Sequence, residues 1–216
     1  AWSWFKGTFD GNNHTIKGAV IEGTFRYDGS GATYETGLFP YAGNGTVIKN
    51  LTVDGIYVCN PNTSRDVGYG KGGTGSLIGH ADGNITIDNV VIKNGIVTCV
   101  ENGKAGLGAL IGTYRNMKNN KLIITNTIVD DSVRVVAGTG STCYIGGLIG
   151  YVQDGWLSGG PYTFELDLSK SRIYPSGSLN SSNVNEVTLK PCGYFICTGN
   201  YSEFTWTCKS DKAEDV

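Results

Sequence analysis

The sequence predicts an all-β protein built as a parallel β-helix, a solenoid of stacked coils. A glycine-leucine motif recurs four times, as Gly37-Leu-Phe39, Gly75-Ser-Leu-Ile-Gly79, Gly108-Ala-Leu-Ile-Gly112 and Gly146-Gly-Leu-Ile-Gly150. Its leucines stand at positions 38, 77, 110 and 148, in steps of 39, 33 and 38 residues. A period of this length is typical of solenoid proteins. The chain also sustains no helical spacing of apolar residues, which favours strands throughout.

The first 35 residues are predicted to form entry strands or a cap. Residues 4–9 and 14–21 resemble strands, and Asp10-Gly11 between them is a turn signal. The aromatic residues Trp2, Trp4 and Phe5 open this segment.

Residues 36–186 are predicted to be the β-helix repeats. Each repeat has two or three short β-branched runs that glycine, asparagine and aspartate separate, such as residues 85–92 followed by 95–98. One repeat therefore makes one coil of about three strands, and equivalent strands of successive coils stack into parallel sheets. Alternate residues, among them Leu77, Ile85, Ile87 and Val91, are expected to point into the core.

An asparagine recurs just inside the second run of three repeats, at Asn50, Asn89 and Asn126. We expect these residues to stack as an asparagine ladder at a coil corner, where each amide can satisfy backbone groups of its own and the neighbouring coil. On this interpretation Asn50 is buried.

The period decays after Tyr162. Residues 187–216 carry cysteines and aromatic side chains in place of aliphatic ones. Terminal repeats of solenoids are atypical because they cover an exposed core. This segment is therefore predicted to be a disulfide-stapled C-terminal cap within the same single domain.

The stretch from Gly7-Thr-Phe-Asp-Gly to Gly18, followed by Gly37-Leu-Phe39 and Val47-Ile-Lys-Asn-Leu-Thr-Val53, resembles the GLUG-type repeats of large bacterial surface proteins and the related pectin-lyase-like folds. The resemblance covers about residues 5–155, most clearly 7–56, 75–98 and 107–135. It implies a right-handed parallel β-helix, here of about 5–6 coils. In that family another strand segment usually precedes the entry motif, so the chain is expected to begin inside a longer solenoid or to borrow its first rung.

Composition limits the partners. The net charge of −2 over 216 residues supplies no reason to expect nucleic acid. No apolar run approaches the length of a membrane span. We therefore expect neither a nucleic-acid partner nor a membrane span.

Cysteine usage favours an oxidising compartment. The six cysteines are Cys59, Cys99, Cys143, Cys192, Cys197 and Cys208. Their even number, the absence of a CxxC pair and the presence of only two histidines disfavour zinc and favour disulfides, so we expect neither metal nor cofactor. Cys59 and Cys99 have nearly the same phase on adjacent coils and form the preferred pair, because stacked strands lie at a distance that a disulfide can bridge. Cys143 with Cys192 and Cys197 with Cys208 are further possibilities.

Seven Asn-X-Ser/Thr sequons occur, where chance would produce roughly three. Apart from Asn50, the candidates for N-glycosylation are Asn13, Asn44, Asn62, Asn84, Asn180 and Asn200. Occupied sequons would indicate an extracellular or cell-surface glycoprotein. The alternative is that these asparagines are only the turn and ladder residues in which β-solenoids are rich.

Catalytic signals are weak. The candidate carboxylates are the adjacent pair Asp130 and Asp131, which face opposite sides of a strand, and Glu165 with Asp167, which share a solvated face. His14 and His80 lie in polar, turn-like contexts without a nucleophile motif and are expected at the surface. The sequence therefore predicts no enzyme activity.

Aromatic residues are candidates for binding. A sugar-stacking stripe could include Tyr41, Tyr57, Tyr69, Tyr114, Tyr151 and Trp156. The residues chosen as possible ligand or subunit contacts are Trp2, Trp4, Tyr114, Tyr151 and Trp156. Ordinary aromatic stacking between coils is the alternative.

Two functions follow as hypotheses. The first is a non-catalytic extracellular module, structural or adhesive, that serves as a subunit of a surface fibre or as part of a large surface adhesin. Its partners would be other copies of itself stacked head to tail, neighbouring surface-protein domains, or glycans. The second is a polysaccharide-binding or polysaccharide-cleaving protein of the pectin-lyase-like kind.

Overall fold

The structure, a computed structural model, describes residues 4–23, 25–27, 32–63, 72–116, 120–154, 165–180 and 203–207. These residues form an all-β parallel solenoid of about 4 turns, which confirms the predicted fold class and corrects the expected coil number. The described ranges contain no helix, and hence none that is long and apolar enough to cross a membrane.

Strands of successive coils stack into four sheets. Sheet 1 contains β1 (Thr8–Lys17), β6 (Thr46–Asp54), β10 (Ile85–Lys93), β14 (Lys121–Thr125), β15 (Ile128–Val129), β19 (Glu165–Asp167) and β20 (Arg172–Ile173). Sheet 2 contains β2 (Val20–Glu22), β7 (Tyr57–Asn60), β11 (Ile96–Cys99), β16 (Arg134–Val136), β21 (Ser176–Asn180) and β22 (Glu203–Thr207). Sheet 3 contains β8 (Gly73–Gly75), β12 (Lys104–Gly108) and β17 (Thr142–Gly146). Sheet 4 contains β5 (Phe39–Ala42), β9 (Ile78–Asp82), β13 (Ile111–Asn116) and β18 (Ile149–Asp154).

Each coil runs from sheet 3 through sheet 4 and sheet 1 to sheet 2. The strands β1 and β2 are the first rungs of sheets 1 and 2, so part of the predicted entry segment belongs to the solenoid itself. An antiparallel hairpin of β3 (Phe25–Tyr27) and β4 (Ala32–Tyr34) follows β2. At the other end β22 pairs antiparallel with β21. Apart from residues 203–207, the predicted cap at 187–216 lies outside the described residues.

The repeated glycines lie where sheets 3 and 4 touch backbone to backbone. A Cβ atom on Gly112 would stand 1.9 Å from the Thr74 nitrogen, and one on Gly150 would stand 2.5 Å from the Leu107 nitrogen. No residue other than glycine fits such an approach without moving the backbone. The leucines of the motif, Leu77, Leu110 and Leu148, are fully buried at the turn between the two sheets. The motif therefore marks the corner at which each coil folds onto itself.

The alternation of buried and exposed residues changes phase at Asn89. Ile85 and Ile87 are buried before it and Val90 and Ile92 are buried after it, whereas Val91 is partly exposed. The expectation that Val91 points into the core is therefore wrong. The physical reason is the left-handed backbone of Asn89 (φ 53), which adds one residue to the outer side of the strand.

The same left-handed conformation recurs at Asn50 (φ 55) and Asn126 (φ 51), so the three asparagines stack in adjacent coils. The Nδ2 atom of Asn89 donates to Oδ1 of Asn50 at 2.9 Å, and Nδ2 of Asn126 donates to Oδ1 of Asp88 at 2.7 Å. These bonds join side chains of neighbouring coils on the outer surface. The expected burial of Asn50 is wrong, because the left-handed bend directs its side chain outward, where it is partly exposed.

Rows of alternating charge flank this asparagine ladder. One row holds Asp10, Lys49 and Asp88, and the other holds Lys17, Asp54 and Lys93. Lys49 lies 3.3 Å from Asp10 and Lys93 lies 3.4 Å from Asp54. Each of these exposed pairs contributes little by itself. Together they oppose a slip of register, because a one-residue shift would remove every pairing of the row.

A substitution at the contact between sheets 3 and 4 tests its importance. We expect Gly112→Ala to lower the free energy of unfolding by about 3 kcal/mol or more, because the new methyl group overlaps backbone atoms. Gly95→Ala is the matched control, since its Cβ would meet a side-chain atom, Ile56 Cγ2 at 3.2 Å, and no backbone atom closer than 3.6 Å. We expect a loss within about 1 kcal/mol for this control. Equal losses for both variants in urea unfolding would contradict the interpretation.

Two substitutions separate the conformation of Asn89 from its hydrogen bonds. Asn89→Ala loses both, and we expect it to lower the free energy of unfolding by about 1–3 kcal/mol. Asn89→Gly keeps the left-handed backbone and loses only the side-chain amide, so its loss should be below about 1 kcal/mol. Thermal and urea unfolding of both variants measure the difference. If glycine proved as costly as alanine, backbone conformation would not be the larger contribution.

Candidate functional site

An open cleft of about 500 Å³ lies where β5 turns into β6 and β9 turns into β10. Its lining residues come from successive coils and are Trp4, Lys6, Gly43, Asn44, Asp82, Gly83, Asn84 and Asn120. We call it the Trp4 cleft. Its volume falls within the range of small-ligand sites in proteins.

The floor of the Trp4 cleft consists of stacked turns. Gly45 (φ 87) and Gly83 (φ 82) adopt the positive φ that these turns require. The Asn84 nitrogen donates to Oδ1 of Asn44 at 2.8 Å, and the Lys121 nitrogen donates to Oδ1 of Asn84 at 2.8 Å. The side-chain oxygens of these asparagines thus accept hydrogen bonds from the backbone of the next coil. Their Nδ2 groups have no hydrogen-bond partner among the described residues.

Trp4 forms one wall and is held by aromatic and cationic neighbours. Its ring centroid lies 5.5 Å from that of Tyr41 and 5.6 Å from that of His80, with the His80 ring edge-on. The Arg115 guanidinium carbon lies 5.7 Å from the same centroid, within the range of a cation–π contact. The backbone N–H of the adjacent Phe5 donates to the backbone carbonyl oxygen of Tyr41 at 3.0 Å, which anchors this segment to β5.

Asp82 is the only carboxylate among the described residues that line the cleft. It forms an ion pair with Arg115, its neighbour in register on β13, and the side chains are 15% and 22% exposed. The Oδ1 atom of Asp82 and the Nε atom of Arg115 are buried without a hydrogen-bond partner among the described residues. Buried polar atoms are normally paired, so these two atoms are unusual, but their burial keeps both of them from a ligand in the open cleft.

Tyr114 supports the cleft from the core. Its side chain is fully buried and its hydroxyl donates to the Gly83 oxygen at 3.0 Å. Burial, with the nearby Asp82 charge, raises the pKa of Tyr114 well above its usual value, so the hydroxyl stays protonated. The expectation that Tyr114 contacts a ligand or a second subunit is therefore wrong. Thr113, and not Tyr114, stands opposite Tyr151 in the register, so the two tyrosines have opposite phase.

The other proposed contact residues are placed differently. Tyr151 is partly exposed and packs against Tyr144, with ring centroids 4.7 Å apart. Trp2 and Trp156 lie outside the described residues. Of the proposed contacts that the structure describes, Trp4 alone lies in the cleft.

His80 also corrects the sequence interpretation, because it is 3% exposed rather than at the surface. From the sequence alone, Asn84 is named only as a sequon, and Asp82, Lys6 and Arg115 have no assigned role. A usable signal existed: the turn residues recur at the same place in consecutive repeats, so they had to stack side by side.

The candidate catalytic carboxylates serve local structure. Glu165 forms an ion pair with Lys121 at 2.8 Å, and Asp167 accepts a hydrogen bond from the Ser169 nitrogen at 2.8 Å. Asp130 accepts one from the Ser132 nitrogen at 3.0 Å. Within the described ranges no cluster of three or more potential metal ligands occurs.

The glycosylation candidates divide by exposure. Asn13, Asn44 and Asn84 are exposed. Asn62 is 2% exposed, and its Nδ2 atom donates to the Lys104 oxygen at 2.7 Å, so the folded protein offers no room for a glycan there. The structure does not describe the side chains of Asn180 and Asn200.

The preferred disulfide, Cys59 with Cys99, is wrong in this structure. Thr98 stands opposite Cys59, so Cys99 lies one residue out of register and faces the core while Cys59 is partly exposed. Successive side chains on a strand point to opposite faces, which separates the two sulfurs. Cys59, Cys99 and Cys143 form no disulfide in this structure. Cys192, Cys197 and Cys208 fall in segments that the structure does not describe.

No family model, curated protein or solved structure matches this chain.

The outward carboxylates generate a prediction on pH. Five of these aspartates have a pKa below the usual value, in each case chiefly because a neighbouring side chain forms a hydrogen bond with the carboxylate. The pairs are Asp10 with Asn50, Asp54 with Asn94, Asp88 with Asn126, Asp130 with Ser132 and Asp167 with Ser169. A pKa that is lower in the folded state means that the unfolded state binds more protons in acid. The stabilisation is present above the unfolded value of about 3.9 and is lost as pH falls further.

We therefore expect the urea midpoint to change little from pH 7 to about 5 and to decline below about 4. Asp88→Asn removes one of these groups and should make the acid decline shallower. Unfolding titrations at a series of pH values test this. A midpoint that rises between pH 4 and pH 2 would contradict the assignment.

Proposed function

We propose that this protein is a non-catalytic, extracellular adhesive module that attaches by binding a glycan in the Trp4 cleft. The observation that carries the proposal is that one open cleft combines the Trp4 indole with the Nδ2 groups of Asn44 and Asn84, which have no hydrogen-bond partner among the described residues. Binding of this kind suits the adhesive role that the repeat architecture suggests.

The chemistry of the cleft matches a sugar ring. An indole offers a large rigid apolar surface, against which the apolar face of a pyranose can stack. The amide N–H groups of Asn44 and Asn84 can then bond the equatorial hydroxyl groups at the ring edge. The Lys6 ammonium, which forms no ion pair with the described residues, adds a positive charge and favours a sugar that carries an acidic group.

The solenoid holds these groups in place. The lining residues belong to consecutive rungs, which are spaced about 4.8 Å apart in a parallel sheet. Backbone hydrogen bonds of the stacked turns fix that spacing, as between the Gly45 nitrogen and the Asn84 oxygen at 2.8 Å. A site on such a rigid support loses little conformational entropy when a ligand binds.

Cleavage of a polysaccharide has less support. Glycoside hydrolysis usually needs two carboxylates on either side of the bond. Among the lining residues that the structure describes, Asp82 is the single carboxylate and it is already paired with Arg115. A binding role for the cleft therefore fits better than a catalytic one.

The extracellular location belongs to the proposal and rests on the exposed sequon at Asn13, which lies outside the cleft. The right-handed sense of the coils also belongs to it, as the resemblance to GLUG-type repeats implies. Head-to-tail assembly into a fibre has less support, because β22 pairs antiparallel with β21 and occupies that edge of sheet 2.

A glycan array and calorimetry on unglycosylated protein test the proposal. We expect wild-type protein to bind a restricted set of glycans, and Trp4→Ala to weaken the best binding about 30-fold or more, as a central aromatic contact usually does. Lys6→Gln should weaken binding of acidic glycans severalfold, and more at low salt.

Lys17→Gln is the matched control, since Lys17 is an exposed lysine of the same strand region that lies outside the cleft. Its affinity should equal that of wild type. Thermal unfolding of each variant shows that the fold is retained. The proposal fails if wild-type protein binds no glycan, or if Trp4→Ala binds as tightly as wild type.

A further inference from the structure

Two buried cysteines meet at one corner of the solenoid. Cys99 is the last residue of β11 and is 4% exposed, and Cys143 lies in β17 and is fully buried. Their sulfur atoms are 3.4 Å apart. Neither residue takes part in the Trp4 cleft.

The fold explains this proximity. After Cys99 the chain turns from sheet 2 into β12 of sheet 3, where Ala105 pairs with Cys143 of the next coil. Cys143 therefore lies one coil further along, at the corner that follows Cys99. Gly103 makes room between them, since a Cβ atom on it would stand 2.8 Å from the Cys99 sulfur.

Polar groups converge on the Cys99 sulfur. Besides Cys143, the Ser141 hydroxyl lies 3.4 Å from it and the Gly138 nitrogen donates to it at 3.4 Å. These hydrogen bonds, that of Cys143 first, lower the pKa of Cys99 to about 7 against the effect of burial. A thiolate is the nucleophile in disulfide exchange, so Cys99 reacts first when a local opening of this corner exposes its sulfur.

We propose that Cys99 and Cys143 form a disulfide that links consecutive coils when the protein meets a disulfide oxidant. The Cys99 thiolate attacks one sulfur of the oxidant R–S–S–R, and one RS⁻ leaves. The Cys143 thiolate then attacks the Cys99 sulfur of the mixed disulfide and expels the second RS⁻. One S–S bond is broken and one is formed, and the two thiol protons pass to the two released thiolates.

Cys59 is the competing partner that the sequence favoured, and its surroundings argue against it. It lies on the outer face of sheet 2, and burial raises its pKa. Cys143 touches Cys99 directly inside the core, where no rotation of the strand is needed to bring the sulfurs together. The other alternative is that both buried cysteines act only as small apolar side chains.

Peptide mapping tests the pairing directly. The protein is equilibrated with oxidised and reduced glutathione at pH 8, alkylated and digested with trypsin without reduction. The tryptic fragments place Cys59 in residues 50–65, Cys99 in 94–104, Cys143 in 135–170, and the remaining three cysteines together in 173–209. We expect fragment 94–104 to be linked to 135–170. Linkage of 94–104 to any other fragment, or complete alkylation of both cysteines after oxidation, overturns the proposal.

Thermal unfolding supplies a second measurement. A bond between residues 99 and 143 closes a long loop in the unfolded chain, so oxidised wild-type protein should melt on the order of 10 °C above reduced protein. Cys143→Ala should abolish this difference, whereas the control Cys59→Ala should keep it. A difference that persists in Cys143→Ala, or is absent in wild-type protein, contradicts the proposal. Because glycan binding is measured separately, neither result bears on the function proposed for the Trp4 cleft.

Discussion

The contact between the backbones of sheets 3 and 4 is the constraint on which the other features depend. It requires glycine at Gly75, Gly79, Gly112 and Gly150, because even a methyl group would overlap backbone atoms of the facing strand. Folding each coil this tightly leaves a narrow interior, which aliphatic side chains of sheets 1 and 2 and the motif leucines fill. It also fixes where each coil turns into sheet 1. The residues of those turns consequently stack from coil to coil, and the Trp4 cleft is built on them.

Left-handed asparagines impose the second constraint, on the outer surface. Asn50, Asn89 and Asn126 each bend a long strand of sheet 1 at the same place, which reverses the alternation of side chains beyond the bend. Their amides bond side chains of the neighbouring coil and so compensate in part for the unfavourable backbone. The alternating charges beside them oppose a slip of register between neighbouring coils. The outer face of sheet 1 thus combines a regular stack of left-handed bends with a polar surface.

The two proposed chemical sites share a structural origin. Both arise where residues far apart in sequence occupy equivalent or adjacent positions at a coil corner. Trp4, Asn44 and Asn84 meet at the turn before sheet 1, and Cys99 and Cys143 meet at the turn after sheet 2. A solenoid makes such sites readily, since one coil of 30 to 40 residues returns the chain to a point one strand spacing away. The Trp4 cleft is open to ligands. The corner with Cys99 and Cys143 is closed within the core, and a bond there would only stabilise the solenoid.

The sequence by itself determined the all-β solenoid, because the glycine-leucine period and the β-branched runs are local and repeated, and stacking is the one way to bury their apolar faces. It also placed asparagines in a common stack. Tertiary structure alone decided the phase of side chains beyond Asn89, the burial of Tyr114, His80 and Asn62, and the contact of the Cys99 sulfur with that of Cys143. A single residue in the left-handed conformation, or an offset of one residue between strands, turns a side chain to the opposite face. That offset depends on how neighbouring coils align, which is a property of the folded stack and not of any one repeat.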